Sequence, residues 1–224
     1  MNILITGGAS GLGEATAHAV AKEGWRPLVV DIKAPDPQFE HAVADLADRD
    51  AAERAVRELA GRAGGLHGVV TAAGVDACGQ LADVPAGDWD RVVKVNLLGT
   101  AAVVRAALPY LLESGGRVVT VASTLGLRAL SDATAYCASK FGVVGFTRAL
   151  AVELAGRVGV TLLVPGGMAT HFFDGRDEQY KPGPDAQLNR PEDVARAVVF
   201  ALGQPPGCEV RELVVCPSRE PSWP

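Results

Sequence analysis

A tyrosine and a lysine four residues apart have side chains and a spacing that are suited to acid/base chemistry. Tyr136 and Lys140 bound the segment Tyr-Cys-Ala-Ser-Lys, and residues four apart share one face of a helix. A free phenol titrates at about pH 10, so it needs nearby positive charge to exchange protons near neutrality. Lys140 can supply that charge, and the spacing predicts an acid/base pair.

Ser123 adds a hydroxyl to this pair. It follows the β-branched segment 117–122, and Tyr136 comes 13 positions later, near the start of the next predicted helix. Ligands of α/β proteins bind at the carboxyl ends of parallel strands. The three side chains are therefore expected to meet at that edge of a sheet.

A glycine-rich segment near the first residue predicts a dinucleotide site. Residues 6–13 read Thr-Gly-Gly-Ala-Ser-Gly-Leu-Gly, between the first predicted strand and the first predicted helix. The backbone N–H groups and positive dipole of a helix start favour a pyrophosphate. The spacing G-x-x-x-G-x-G is neither the general fingerprint G-x-G-x-x-G nor a P-loop.

Asp31 lies at the end of the second predicted strand, 18 positions after Gly13. A carboxylate there accepts hydrogen bonds from ribose hydroxyls and repels a 2′-phosphate. Neither Ala9 nor Ile32 supplies a cation, although Lys33 is close. NAD is the predicted cofactor, and NADP is the less favoured alternative.

Short β-branched runs alternate with helical patterns along the whole chain. Strands are predicted at 2–6, 27–31, 42–44, 68–72, 116–122, 159–164 and 211–215. Helices are predicted at 13–23, 51–60, 85–112 with a break near Lys94, 131–155 and 191–202. Strands that are apolar on both faces and separated by helices indicate a parallel sheet covered on each side. The predicted fold class is α/β, a single doubly wound Rossmann-like sheet with helices on both faces.

Two connections are predicted to be loops. Pro35 and Pro37 leave little room for a crossover helix between Asp31 and Asp45. Residues 171–190, rich in polar side chains and proline, are expected to form a short substrate lid. A short lid predicts a small or medium polar hydroxy or oxo substrate, with Arg176 or Lys181 either pairing a substrate carboxylate or simply solvated.

Composition bounds the remaining classes. The 224 residues are 48% hydrophobic and 21% charged, which predicts one globular domain over 1–224. A net charge of −5 without a basic cluster excludes nucleic acid as an expected partner. The four cysteines lack metal or redox spacing, so no metal site is expected.

The start of the chain and its apolar runs bear on location. The first residues lack the features of a signal peptide. No run approaches the roughly 18 uninterrupted apolar residues of a membrane helix. No membrane association and a cytoplasmic location are therefore expected.

In these motifs and their order, the sequence resembles the short-chain dehydrogenase/reductase family over nearly the whole chain. The resemblance matches Asn96, Ser123, Tyr136 and Lys140 to the catalytic tetrad. It matches the following to cofactor-binding positions, with Tyr136 and Lys140 contributing to both sets: Gly7, Ser10, Gly11, Leu12 and Gly13 in the cofactor loop; Asp45 and Leu46 at the adenine; Ala72, Ala73 and Gly74 under the cofactor; and Pro165, Gly166, Met168 and Thr170 at the nicotinamide carboxamide. Asp31 completes the predicted cofactor set.

The resemblance implies hydride transfer between a nicotinamide cofactor and a secondary alcohol or carbonyl compound. Tyr136 would be the acid/base, and Ser123 would bind the substrate oxygen. Lys140 would bind the nicotinamide ribose, lower the pKa of Tyr136 and join a proton relay through water held by Asn96. Two alternatives stay open: a catalytically silent dinucleotide sensor or scaffold, and a sugar-nucleotide epimerase, whose larger C-terminal domain has little room here.

The sequence departs from the family pattern at two places. Thr71 stands where the family usually has asparagine, and its hydroxyl is expected to replace part of the hydrogen bonding between strands. Residues 210–217 resemble a subgroup that often uses NADP, which conflicts with Asp31.

A strongly apolar helix predicts self-association. Residues 97–112 are apolar on nearly every face, and such a helix must be covered on both sides. The sheet covers one side, and the resemblance implies that a neighbouring subunit covers the other, in a homodimer or homotetramer.

Overall fold

Seven parallel strands form one sheet in the computed structural model of the chain, which describes residues 1–223. Their spatial order is β3-β2-β1-β4-β5-β6-β7. The strands are β1 (Asn2–Thr6), β2 (Arg26–Asp31), β3 (Glu40–Val43), β4 (Gly68–Thr71), β5 (Arg117–Val121), β6 (Gly159–Pro165) and β7 (Glu212–Val215). The predicted doubly wound sheet is confirmed; the predicted domain boundary at Pro224 lies outside the described residues.

The central strands are buried on both faces. Along β1, Leu4 belongs to one core cluster, whereas Ile3 and Ile5 belong to the cluster on the other side of the sheet. Successive side chains of a strand point to opposite faces, so a continuous apolar run supplies both cores at once. This burial explains why the strands have no polar alternation.

Six α-helices within residues 1–223 cover the two faces. They are α1 (Gly11–Lys22), α2 (Arg49–Ala63), α3 (Ala86–Val93), α4 (Thr100–Ser114), α5 (Thr134–Glu153) and α6 (Pro191–Leu202). Helix α1 packs against α6 on one face, and α2 packs against α4 on the other. The expected break near Lys94 is a π-helical turn, Lys94–Gly99, which joins α3 to α4 without interruption.

The continuous helix Ala86–Ser114 is long and apolar enough to span a membrane, contrary to the expectation from the sequence. Asn96, Arg105 and Pro109 interrupt its apolar run, which is why uninterrupted runs alone do not indicate a span. Within the fold, 56% of the helix's most apolar window is buried. A core helix passes the same test of length and composition, so this finding is weak evidence for a membrane span.

Both predicted loops lack α-helices and strands. The connection between β2 and β3 contains no helix, as Pro35 and Pro37 predict. Phe39 ends this connection buried, with its ring edge-on to His18 at a centroid distance of 5.0 Å. The lid carries only two short 3₁₀ turns, His171–Phe173 and Glu178–Tyr180.

Candidate active site

The glycine-rich turn between β1 and α1 packs directly on the end of β4. A Cβ on Gly7, whose φ is +74°, would stand 2.7 Å from the Cα of Ala73. A Cβ on Gly13 would stand 2.1 Å from the carbonyl oxygen of Gly7. No side chain from the described residues caps α1 at Ser10, which leaves the first helical N–H groups for an anion.

The segment after β6 faces this turn. A Cβ on Gly11 would lie 3.3 Å from the Cγ2 of Thr170. The Gly166 N–H donates to the Val215 carbonyl across 3.0 Å, and Met168 packs against the core cluster that contains Leu12. The structure therefore brings the predicted cofactor loop and the predicted carboxamide segment to the same edge of the sheet.

Asp31 is tied to the glycine-rich turn. Its Oδ2 accepts a hydrogen bond from the Ala9 N–H at 3.0 Å, and its Oδ1 accepts one from the Lys33 N–H at 3.0 Å. The carboxylate lies at the end of β2, next to β1. Its position agrees with the predicted ribose contact, and its role stays a prediction.

Asp45 has a cationic partner that the sequence analysis missed. Its Oδ2 accepts from Arg91 Nη1 at 3.0 Å, and its Oδ1 accepts from the Ala47 N–H at 2.9 Å. The Ala47 hydrogen bond and Arg91 together lower the pKa of Asp45, against desolvation. Leu46 is buried against the π turn, where a Cβ on Gly99 would meet its carbonyl oxygen at 2.8 Å.

Lys140 is buried and points at the end of β5. Its Nζ donates to the Val121 carbonyl at 2.9 Å and lies 5.6 Å from the centroid of the Tyr136 ring. A Cβ on Gly74 would stand 3.7 Å from the same Nζ. Burial lowers the pKa of Lys140 from 10.5 to about 8, and the charge of Asp76 opposes that shift.

In the cofactor-free protein the pKa of Tyr136 is raised rather than lowered, so the lowering by Lys140 stays a prediction for the cofactor-bound protein. Desolvation raises the pKa of Tyr136, and it outweighs the effect of the Ser123 hydroxyl, which acts in the opposite direction. The charge of Asp76 raises this pKa further, whereas Arg176 lowers it. In the protein alone, burial dominates the titration of Tyr136.

Asn96 lies in the π-helical turn and fastens three elements together. Its Oδ1 accepts from the Val75 N–H at 2.8 Å, and its Nδ2 donates to the Val75 carbonyl at 2.9 Å and to Ser139 Oγ at 3.0 Å. Both amide hydrogens are thus in use. The side chain therefore holds the segment after β4 against α5; its predicted part in a water relay stays a prediction.

Thr71 does not perform the bridging that the sequence analysis expects of it. Within residues 1–223 its buried hydroxyl has no hydrogen-bond partner. Thr6 makes a link instead, because its Oγ1 accepts from the Ala73 N–H at 3.2 Å. The hydrogen bond that links β1 to the end of β4 is therefore accepted by Thr6 of β1 and not by Thr71 of β4.

The cations of the lid have acidic partners within the protein. Arg176 pairs with Asp76 at 2.6 Å, and Lys181 pairs with Glu178 at 2.5 Å. The expectation that either side chain is available to a substrate carboxylate therefore loses support. His171 is exposed, and its Nδ1 lies 2.7 Å from Asp174.

The C-terminal tail completes the wall of the site, which the sequence analysis missed. Glu220 Oε2 accepts from the Gly167 N–H at 2.9 Å, and the hydroxyl of Ser222 lies 2.7 Å from that of Thr124. These contacts join residues about 50 and 100 positions apart, and no local pattern signals them. In the part of the chain that the structure describes, no three His, Cys, Asp or Glu side chains cluster as metal ligands would.

Comparisons with known proteins agree with this geometry. A sequence model described as short chain dehydrogenase matches residues 1–181. A hydroxy(phenyl)methylsuccinyl-CoA dehydrogenase subunit, BbsD, of Thauera aromatica is 33% identical over 96% of this chain and 95% of its own. D-threitol dehydrogenase of Mycolicibacterium smegmatis is 34% identical over 88% of this chain and 84% of its own.

A solved structure shares the fold. The alcohol dehydrogenase of the archaeon Thermococcus sibiricus, complexed with 5-hydroxy-NADP, superposes with a TM-score of 0.85 and 23% identity. The match covers 96% of this chain and 95% of that one.

Proposed function

The chain belongs to the short-chain dehydrogenase/reductase family, and from that premise we propose that it interconverts secondary alcohols and carbonyl compounds with NAD. The family model and the relatives reported above confirm the resemblance inferred from the sequence, and with it membership of an oxidoreductase family. Family members use NAD or NADP and act on small molecules. The choice of NAD, the kind of substrate and the role of each residue below are our proposal.

The residues present fit a dinucleotide. The turn that holds Gly7 and Gly13 has no space for a side chain, and α1 begins without a side-chain cap from the described residues. Asp31 would hold the adenosine ribose, and Thr170 would hold the carboxamide end. When bound, the cofactor supplies the hydride chemistry, and the protein supplies orientation and proton transfer.

Three side chains of this protein would manage the proton. The phenol of Tyr136 would give a proton to the substrate oxygen in reduction and take one from it in oxidation. Ser123, whose hydroxyl lowers the pKa of that phenol, would hold the substrate oxygen in line. Lys140 would stabilise the phenolate by its charge, because its Nζ lies beside the ring.

The observation that carries the proposal is the meeting of Tyr136 and Lys140 at the end of β5, with Gly74 of the predicted cofactor set beside the ammonium group. The test is a screen of secondary alcohols and ketones that follows NADH absorbance. Turnover by the unaltered protein, together with its loss in Tyr136→Phe, is the expected result. Equal turnover by both proteins would exclude Tyr136 as the acid/base.

NAD is favoured over NADP by the carboxylate of Asp31, which receives two backbone N–H groups and no side-chain cation from residues 1–223. A 2′-phosphate would meet this negative charge. The archaeal relative complexed with 5-hydroxy-NADP represents the alternative. We also infer that the enzyme works in the cytoplasm, and a cell fractionation with an antibody to the chain would test that location.

Two other functions receive less support. A silent dinucleotide sensor would need neither Tyr136 nor Lys140, and the two side chains lie together, with the Lys140 Nζ 5.6 Å from the centroid of the Tyr136 ring. A sugar-nucleotide epimerase is less supported because the matching family model and the relatives reported above are dehydrogenases. A sensor would bind NAD without consuming any alcohol or ketone in the same screen.

A further inference from the structure

An ion pair joins the lid to the segment that follows β4. Arg176 Nη2 donates to Asp76 Oδ2 at 2.6 Å, and the side chains are only 18% and 7% exposed. Asp76 Oδ2 also accepts from the thiol of Cys78 at 3.2 Å. The two charged residues are 100 positions apart, so the contact depends entirely on how the lid folds back.

The Asp76 end of this pair is fixed. Both backbone groups of the preceding residue, Val75, are hydrogen-bonded to the amide of Asn96. The Asp76 Oδ1 accepts from the Ala77 N–H at 2.7 Å. Arg176, by contrast, lies between two short 3₁₀ turns in a segment without α-helix or strand.

The Arg176 end of the pair reaches the acid/base residue through aromatic rings. The guanidinium carbon lies 4.9 Å from the centroid of Phe172 and 4.6 Å from that of Phe173. Phe172 in turn packs on Tyr136 at a centroid distance of 5.7 Å. Through these contacts, docking of Arg176 on Asp76 holds an aromatic wall against the phenol.

The pair also sets the charge around the phenol. Tyr136 faces Ser123 at the end of β5, Asp76 after β4, Arg176 on the lid, and Cys137 and Lys140 on its own helix. The Asp76 charge raises the pKa of both Tyr136 and Lys140, and Arg176 lowers the pKa of Tyr136. Arg176 therefore offsets a negative charge that opposes the phenolate.

Stability alone is a weak reason for this arrangement. Taking two charges out of water costs about as much as their attraction returns. The Nε of Arg176 is buried and has no hydrogen-bond partner among the described residues, which adds to the cost. A role in the reaction accounts for the pair better than a role in folding.

We propose that Asp76 and Arg176 are positioning residues whose ion pair latches the lid over Tyr136 and cancels the negative charge that Asp76 would otherwise present to the phenol. The proposal rests on the proposed function of Tyr136. It adds two residues that touch neither reacting atoms nor cofactor and act through the tyrosine.

The first test is the pH dependence of kcat/KM for alcohol oxidation. Arg176→Met leaves the Asp76 charge uncompensated, so the profile moves to higher pH; Asp76→Asn leaves the Arg176 charge, so it moves to lower pH. Each shift is expected to be about half a unit or more. The double variant returns toward the unaltered protein, and Lys181→Met, which breaks the Lys181–Glu178 pair elsewhere on the lid, causes no shift.

The second test needs no turnover. Hydrogen exchange of the backbone amides in residues 171–180 is measured in the cofactor-free protein. Both single variants at the latch are expected to speed this exchange, whereas Lys181→Met leaves the amides next to Phe172 unchanged. Circular dichroism confirms that each variant is folded.

The outcomes separate the latch from the proposed function. Unchanged exchange in a folded Arg176→Met or Asp76→Asn variant overturns the latch, whether or not the protein oxidises any alcohol. Faster exchange with pH profiles that shift in the same direction, or not at all, overturns the charge compensation. Failure of every alcohol and ketone in the screen would count against the proposed function only.

Discussion

The ammonium group of Lys140 donates to the carbonyl of Val121, two residues before Ser123, from a position with almost no access to solvent. A single hydrogen bond compensates poorly for taking an ammonium ion out of water. The position of the lysine therefore disfavours its protonated form, because burial lowers its pKa to about 8.

The first prediction concerns pH and stability. Because the pKa of Lys140 falls from 10.5 to about 8 on folding, the unfolded chain binds more protons between these values. The free energy of unfolding therefore gains from Lys140 as pH rises through this window. Lys140→Met is expected to remove that gain and to raise the free energy of unfolding at pH 7 by about 1–3 kcal/mol.

Urea denaturation at several pH values measures both effects. The control is Lys22→Met, which removes an exposed lysine near the end of α1 and should keep the pH dependence of the unaltered protein. If Lys140→Met keeps the pH dependence of the unaltered protein, then protonation of the buried lysine does not lower the free energy of unfolding.

The second prediction separates catalysis from folding. Tyr136→Phe removes the phenol but keeps the ring that packs on Phe172. The variant is expected to lose about 10²- to 10⁴-fold in kcat while its NAD affinity, measured by calorimetry, is retained. Tyr110→Phe on α4 is the control, and it should leave turnover unchanged.

The third prediction concerns cofactor choice. Asp31→Asn keeps an acceptor for the Ala9 or Lys33 N–H but removes the charge. It is expected to narrow the preference for NAD over NADP by about tenfold, or ~1.4 kcal/mol. Calorimetric titration with both dinucleotides measures the change, with Asp36→Asn in the same connection as control. Tighter binding of NADP to the unaltered protein would refute the assignment.

The fourth prediction uses two threonines at adjacent strand positions. Thr71 and Thr6 are paired in register between β4 and β1, but among the described residues only the Thr6 hydroxyl has a hydrogen-bond partner, the Ala73 N–H. Thr71→Val is expected to raise the free energy of unfolding by about 1 kcal/mol because a buried hydroxyl is removed. Thr6→Val is expected to lower it by about 1 kcal/mol because the Ala73 N–H loses its acceptor.

Urea denaturation of the two valine variants gives the comparison directly, since each is the control of the other. Equal changes in the free energy of unfolding of the two variants would mean that the Thr71 hydroxyl has a hydrogen-bond partner in solution.

The fifth prediction concerns assembly. Leu98, Leu112 on α4 and Phe141 on α5 are exposed large apolar side chains, and apolar helix faces tend to be covered. Light scattering is expected to show a dimer or tetramer. Phe141→Lys should shift the association equilibrium toward monomer. Phe200→Lys makes the same change on α6, on the other side of the sheet, and is the control that should leave the oligomeric state unchanged. A monomer in the unaltered protein at micromolar concentration would contradict this prediction.

The sheet could be predicted because burial on both faces leaves a direct record in the sequence. Runs such as Ile3-Leu4-Ile5 have no polar alternation, as is typical of strands in a parallel sheet covered on each side. Helix ends were less accessible. Helix α1 begins at Gly11 rather than at the predicted Gly13, because packing of the turn against β4 overrides the poor helix propensity of glycine.

The site could be predicted only where a motif is local. Tyr136 and Lys140 are one helical turn apart, and their residue types suggest the chemistry. Asp76 and Arg176 are distant in sequence, and neither has an informative neighbour, so nothing links them before the lid folds. The missing partner of Thr71 is likewise a property of packing, because the residue type gives the hydroxyl but not its surroundings.

The π-helical turn at Lys94–Gly99 sets the angular offset between α3 and α4, the two halves of one continuous helix. A π turn contains about one residue more than an α turn, and one residue of α-helix corresponds to about 100° of rotation. The apolar side of α4 is fixed by the sheet, so the extra residue lets Asn96 face Val75 without turning α4. Shortening the turn by one residue would preserve every side chain type in the site and still misdirect Asn96, so the site depends on this angular offset as well as on its side chains.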